Sequence, residues 1–152
     1  MPEASDITEI RHAVRQLCAK FGESYWLELD RDRGYPTEFV QALTESGFLT
    51  VLIPEAYGGS GLGVYEASII MEEVCRAGAH AGACHAQMYV MGSVLRHGSE
   101  AQKQYYLPKI AAGELRLQSF GVTEPTTGTD TTSLKTTARL DGDHYVVKGQ
   151  KV

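Results

Sequence analysis

Apolar residues recur at helical spacing through about the first three quarters of the chain, and the pattern then changes to alternation. Ile7, Ile10, Val14, Leu17, Cys18 and Phe21 lie three or four apart and make one stripe of a helix. Asp6 and Glu9 put carboxylates at its start, where free N–H groups and the positive helix end favour them. Gly22 is a natural stop for that helix, and Arg31-Asp32-Arg33-Gly34-Tyr35 reads as a polar connection. Pro36 suits a first helical turn, Phe39, Val40 and Leu43 form the next stripe, and Gly47 can end it in the left-handed region. From Val64 to about Arg76, Ala67, Ile69, Ile70, Met71, Val74 and Cys75 give a largely apolar helix. Another follows over about His80 to Arg96, with Cys84, Met88, Tyr89, Met91, Val94 and Leu95 among small residues that let helices approach closely. Ser99 and Gln102 form a capping box, so a new helix starts after Gly98 and is expected to end near Leu107-Pro108, with one short turn to Gly113.

Leu115 to Val122 has little helical periodicity and reads as a strand. Asp141-Gly142 stands between Thr136-Thr137-Ala138-Arg139-Leu140 and His144-Tyr145-Val146-Val147, which is a hairpin signal. The expected fold class is α+β: an all-α helical bundle over 1–114, then over 115–152 the first strands of a β-domain. No internal repeat or low-complexity segment interrupts it.

Composition changes this picture little. The 152 residues suffice for one ordinary domain, and 43% hydrophobic with 22% charged content is a globular balance. A net charge of −5 and the lack of any Lys/Arg run argue against nucleic acid and anionic membrane as partners. Cys18, Cys75 and Cys84 are odd in number and lack C-x-x-C spacing, which fits reduced thiols in a cytoplasmic compartment. The five histidines show no ligand spacing, so no metal site is expected. The acidic N-terminus lacks a signal pattern, and no apolar run approaches the ~18 residues of a membrane span. A soluble, cytoplasmic protein is expected.

The glycine-rich run Gly58-Gly59-Ser60-Gly61-Leu62-Gly63 invites a nucleotide-binding reading and fails it. A dinucleotide fingerprint on Gly59 and Gly61 would need glycine at Val64, and one on Gly61 and Gly63 would need it at Glu66. No Gly-Lys-Ser/Thr follows either. A flexible connector between packed helices is the better account.

The chemistry lies further along, in Phe120-Gly121-Val122-Thr123-Glu124-Pro125-Thr126-Thr127-Gly128-Thr129-Asp130, followed by Ser133 to Arg139 and Asp141 to Lys151. This stretch resembles the opening of the flavin-binding β-domain of the acyl-CoA dehydrogenases. Three earlier segments resemble the same family in the same order: Tyr35-Pro36 to Gly47, Ile53-Pro54-Glu55 to Gly63, and Gly98-Ser99-Glu100 to Glu114. The resemblance implies FAD as cofactor and oxidation of an acyl-CoA thioester to its α,β-unsaturated form. In that mechanism a carboxylate base takes the α-proton and the β-hydrogen passes as hydride to flavin N5. It further implies an electron-transfer flavoprotein as acceptor and a homo-oligomer for the complete protein.

Carried over by position, the resemblance sets Phe120, Val122 and Thr123 against the flavin, largely through main chain and the threonine hydroxyl. Gly128 and Thr129 fall where flavin and the CoA portion of the substrate approach, glycine allowing close backbone contact. His85, Met88 and Tyr89 lie on a helix resembling one that lines the acyl-chain tunnel, although such a stripe is also ordinary core. Thr126 and Thr127 stand where the family often has small residues, and serine is common at Thr129. Glu124 is a tempting base, but its family counterpart is not the catalytic one, so a structural role is expected. No catalytic residue is assigned: the family's base comes from a C-terminal helical domain, and the 152 residues read as the front part of a flavoenzyme, inactive alone. The alternatives are an oxidase or flavin monooxygenase of the same fold, or a non-catalytic helical interaction module.

Overall fold

Six helices and one β-hairpin make the regular secondary structure, apart from short 3-10 turns, of the computed structural model, which describes residues 4–152. The residues fall into two compact units, dividing between Gln118 and Ser119.

In the first unit the helices are α1 (Ala4–Cys18), α2 (Glu23–Asp32), α3 (Thr37–Glu45), α4 (Val64–Arg76), α5 (Gly82–His97) and α6 (Glu100–Ala111). Their apolar stripes meet in one main cluster, with Val14, Phe39, Leu43, Leu49, Ile70, Val74 and Cys84 at its centre. A smaller cluster of Ile53, Met91, Leu107 and Ile110 lies under α6. Phe21, Tyr25, Trp26 and Phe39 stack edge-on at 5.0–5.3 Å between centroids, the arrangement that ring quadrupoles favour. Ser99 caps α6 as expected: its N–H donates to Gln102 Oε1 at 2.8 Å and its hydroxyl accepts from Gln102 N.

Several sequence expectations are corrected here. Gly22 does not end α1, which stops at Cys18; it precedes α2, a helix with no fully buried residue and so no apolar stripe to mark it in the sequence. The helix that carries Pro108 continues through it to Ala111. Leu107 and Ile110 are both wholly buried on one side, while Pro108 is exposed, so the hydrogen bond that proline removes lies on the wet side. The glycine loop is bonded rather than slack. Gly61 N–H donates to Ile53 O at 2.8 Å and Leu62 N–H to Val51 O at 2.8 Å. Gly58 and Gly61 have φ of 85° and 63°, and a Cβ at Gly59 would run into the Ile53 carbonyl.

Leu115 to Val122 is not a strand, because no neighbouring segment offers it a ladder. Its first four residues belong to the helical unit: Leu115 and Leu117 pack on the smaller cluster, Arg116 bonds the Thr44 hydroxyl at 3.1 Å, and Gln118 bonds Ala83 O at 2.9 Å.

The second unit, Ser119–Val152, holds β1 (Thr137–Asp141) and β2 (His144–Lys148), two strands where about three were expected. They pair antiparallel with Asp141 opposite His144, leaving Gly142-Asp143 as a two-residue turn with Gly142 at φ 64°. Register puts Ala138, Leu140, Tyr145 and Val147 on one face, and both strands are exposed throughout. Among the described residues no helix is long and apolar enough to cross a membrane.

Candidate functional site

Within the second unit, two carboxylates shape the segment from Phe120 to Lys135. Glu124 is 5% exposed. Its Oε2 accepts from Lys135 N–H at 2.7 Å, and its Oε1 from Thr136 N–H at 3.0 Å and Lys151 Nζ at 3.0 Å. These neighbours pull its pKa down to about 2: the Thr136 side chain first, then the Lys135 amide and the Lys151 ammonium, against the cost of burial. The Thr136 hydroxyl acts at close range without the geometry of a hydrogen bond, so the two amides and the ammonium hold the carboxylate. A group so engaged is a poor proton acceptor, in keeping with a structural role for Glu124.

Asp130 closes the other end of the loop. Its carboxylate accepts from the hydroxyls of Ser133 and Thr132 and from Thr132 N–H, which together lower its pKa. Between the two carboxylates, Glu124 and Thr127 exchange main-chain hydrogen bonds at 3.0 and 3.1 Å, and Thr127 Oγ1 donates to Asp130 O at 2.6 Å. Thr126 is exposed, so its bulk turns outward.

Phe120, Thr123, Gly128 and Thr129 are exposed and Val122 is half-buried. The carbonyls of Val122 and Thr123 are used: Lys151 Nζ donates to the first and Val152 N–H to the second, both at 3.0 Å. Among the described residues of this unit, no main-chain carbonyl accepts from the N–H of Val122 or Thr123. A Cβ built on Gly128 would have nothing within 4 Å. Main-chain donors, an exposed hydroxyl and an open glycine suit the polar edge of a planar ring such as a flavin.

His85, Met88 and Tyr89 do not form one group. His85 and Tyr89, one turn apart on α5, stack at 4.8 Å between centroids on its exposed side. Met88 is 7% exposed and belongs to the main core cluster. The residue that the sequence reading leaves out is Lys151. It lies inside the motif, but nothing in its spacing links it to Val122 and Glu124. Among the described residues no group of three His, Cys, Asp or Glu is placed to hold a metal ion.

The family model "Acyl-CoA dehydrogenase, N-terminal domain" matches residues 4–114, which lie in the helical unit. The chain belongs to the acyl-CoA dehydrogenase family. It is 36% identical over 151 residues to acyl-CoA dehydrogenase FadE12 of Mycobacterium tuberculosis, covering 99% of this chain and 39% of that protein. Among solved structures, an acyl-CoA dehydrogenase complexed with FAD from Bacillus anthracis aligns with a TM-score of 0.83 and 31% identity, over 98% of this chain and 26% of that one. A glutaryl-coenzyme A dehydrogenase in complex with glutaryl-CoA aligns with a TM-score of 0.83 and 33% identity, over 99% and 39%. The chain thus spans about two fifths of the length of FadE12 and of the glutaryl-coenzyme A dehydrogenase, and about a quarter of the Bacillus anthracis chain.

Proposed function

We propose that these residues supply the N-terminal helical domain and the cofactor-facing loop of an FAD-dependent acyl-CoA dehydrogenase, which desaturates an acyl-CoA thioester between its α and β carbons. The observation that carries this reading is the Val122–Thr123 segment, whose carbonyls are bonded from within while its N–H groups meet no main-chain acceptor in the unit. Phe120, Val122 and Thr123 would hold the flavin ring, with Gly128 and Thr129 admitting the flavin and the CoA portion of the substrate. When bound, the flavin supplies the acceptor for the hydride leaving the β carbon.

On α5, the His85–Tyr89 ring pair would face the acyl chain, with Met88 backing it from the core. Glu124 does not serve as the base, because its oxygens are engaged and its pKa is about 2. The 152 residues alone are therefore expected to bind FAD weakly and not to turn over. An electron-transfer flavoprotein is the acceptor this reading assigns to the complete protein, which would be a homo-oligomer.

Gly128→Val tests the reading, because the open space around Gly128 lets the chain fold unchanged while the added methyls crowd a ligand. FAD binding followed by flavin fluorescence should weaken at least about tenfold, roughly 1.4 kcal/mol. Equal binding by the variant would remove the loop from the cofactor site.

A further inference from the structure

Lys151 is tied into the loop twice. Its ammonium, 3.0 Å from Glu124 Oε1 and 3.0 Å from Val122 O, bridges a buried carboxylate and a main-chain carbonyl. Glu124 is in turn fixed by the amides of Lys135 and Thr136, at the foot of the hairpin. Lys151 is a third exposed, and the stem of its side chain runs beside Gly121, whose missing Cβ would lie 3.8 Å from it.

The Val122 carbonyl and the Thr123 N–H belong to one planar peptide unit. In a trans peptide the two point in opposite directions, so a donor fixed on the oxygen also fixes the direction of the hydrogen. An ammonium on the carbonyl side draws electron density from the amide, and hydrogen bonds in series strengthen one another. Thr123 N–H is therefore both aimed and made a stronger donor. Val152 N–H does the same for the next peptide through Thr123 O, but there the opposite hydrogen, on Glu124, goes to Thr127 O. Of these two peptides, the one that Lys151 holds keeps its N–H for a partner outside the loop.

We propose that Lys151, held by Glu124, is a positioning residue for the cofactor: it orients and polarises the Val122–Thr123 peptide so that Thr123 N–H donates to the electron-rich edge of the flavin ring. The inference rests on the flavin reading given above. It adds a role for two charged side chains that need not touch the cofactor themselves.

The test is an NMR titration of the 152-residue chain, labelled with 15N, with FAD at concentrations suited to weak binding. In the native chain the Thr123 amide resonance should move downfield as FAD is added. Lys151→Met should reduce that movement and weaken binding at least about tenfold, Lys151→Arg should restore most of both, and Glu124→Gln should fall between. In the absence of FAD, Lys151→Met should move the Thr123 amide upfield, because the donor on the Val122 carbonyl is gone. If Lys151→Met leaves the Thr123 resonance and its response to FAD as in the native chain, the positioning role is overturned while the flavin reading stands. If FAD moves no amide from Phe120 to Thr129 even in the native chain, the flavin reading falls and the proposal with it. Lys151 is a third exposed, so its substitutions leave the hairpin and the Asp130 turn to report folding in the same spectra, and the same resonances show whether Glu124→Gln keeps them.

Discussion

Arg15 on α1 closes a two-point grip on Glu73 of α4, with Nε 2.6 Å from Oε2 and Nη2 2.8 Å from Oε1. Arg11, one turn earlier, adds a bond to Oε1 at 2.6 Å, and the carboxylate is 1% exposed. A buried charge is tolerable only when paired, and this pairing locks two helices whose apolar stripes already meet. Glu73→Ala should cost about 3 kcal/mol, the low end for breaking a buried ion pair, because both guanidiniums keep contact with water. The shift of the urea midpoint measures it.

The same grip sets a pH dependence. The Arg15 guanidinium, then Arg11, hold the Glu73 pKa at about 2, below the ordinary 4.5 and despite the opposing effect of burial. The unfolded chain therefore takes up the proton first as acid is added. The stabilisation is fully present above the ordinary value and should be lost as pH falls from there towards 2. Glu124 titrates in the same direction within its own unit. Urea midpoints of the helical unit between pH 6 and pH 2.5 should fall steeply for the native chain and more gently for Glu73→Gln.

Gln87 is wholly buried on α5, and neither its Oε1 nor its Nε2 has a hydrogen-bond partner among the described residues. Leaving a carboxamide unmatched costs about 1–3 kcal/mol. Gln87→Met keeps the shape and removes the polar atoms, so the variant should be more stable by an amount in that range. An unchanged or lower midpoint would mean that the amide is satisfied in solution.

Gly59 has no room for a side chain, because its Cβ would collide with the backbone of Ile53. Gly59→Ala should destabilise the loop and the helical unit by about 1–3 kcal/mol, the usual range for overpacking. Gly92, with nothing within 4 Å of a Cβ, is the control. Gly92→Ala, inside a helix, should stabilise by about 0.5–1 kcal/mol.

The three thiols should separate by reactivity. Burial pushes the Cys84 pKa up to about 12 and raises that of Cys18, whereas Cys75 is exposed. A thiol-specific reagent should take up one equivalent rapidly in the native chain and three after unfolding. Rapid reaction of two or three would contradict the burial of Cys18 and Cys84 in the main cluster.

How much of this is legible in the sequence depends on which physical signal each element leaves. α4 is read end to end because Ala67, Ile69, Ile70 and Val74 recur at helical spacing on its buried face, and the Ser99–Gln102 capping box marks the start of α6. α2 escapes because its contribution is partly buried aromatics, Tyr25 and Trp26, spaced from Phe21 in a way that a search for fully buried stripes passes over. Pro108 misleads because a proline signals a helix end locally, while the buried Leu107 and Ile110 on either side of it act through tertiary packing. Leu115–Val122 misleads in the opposite sense, since extended composition does not provide a pairing partner. At the loop, residue types alone suggest a turn. The long-range links from Glu124 to Lys135, Thr136 and Lys151 appear only once the chain is folded.

The hairpin has a practical consequence for anyone handling this chain. A two-stranded ribbon with both outer edges bare and Ala138, Leu140, Tyr145 and Val147 on one open face is a template for further strands. The run Tyr145-Val146-Val147 has the residue types that promote such pairing, and the charges about it, Arg139 and Lys148 with Asp141 and Asp143, are of both signs. Colloidal behaviour will thus be governed by about a dozen residues outside the helical unit.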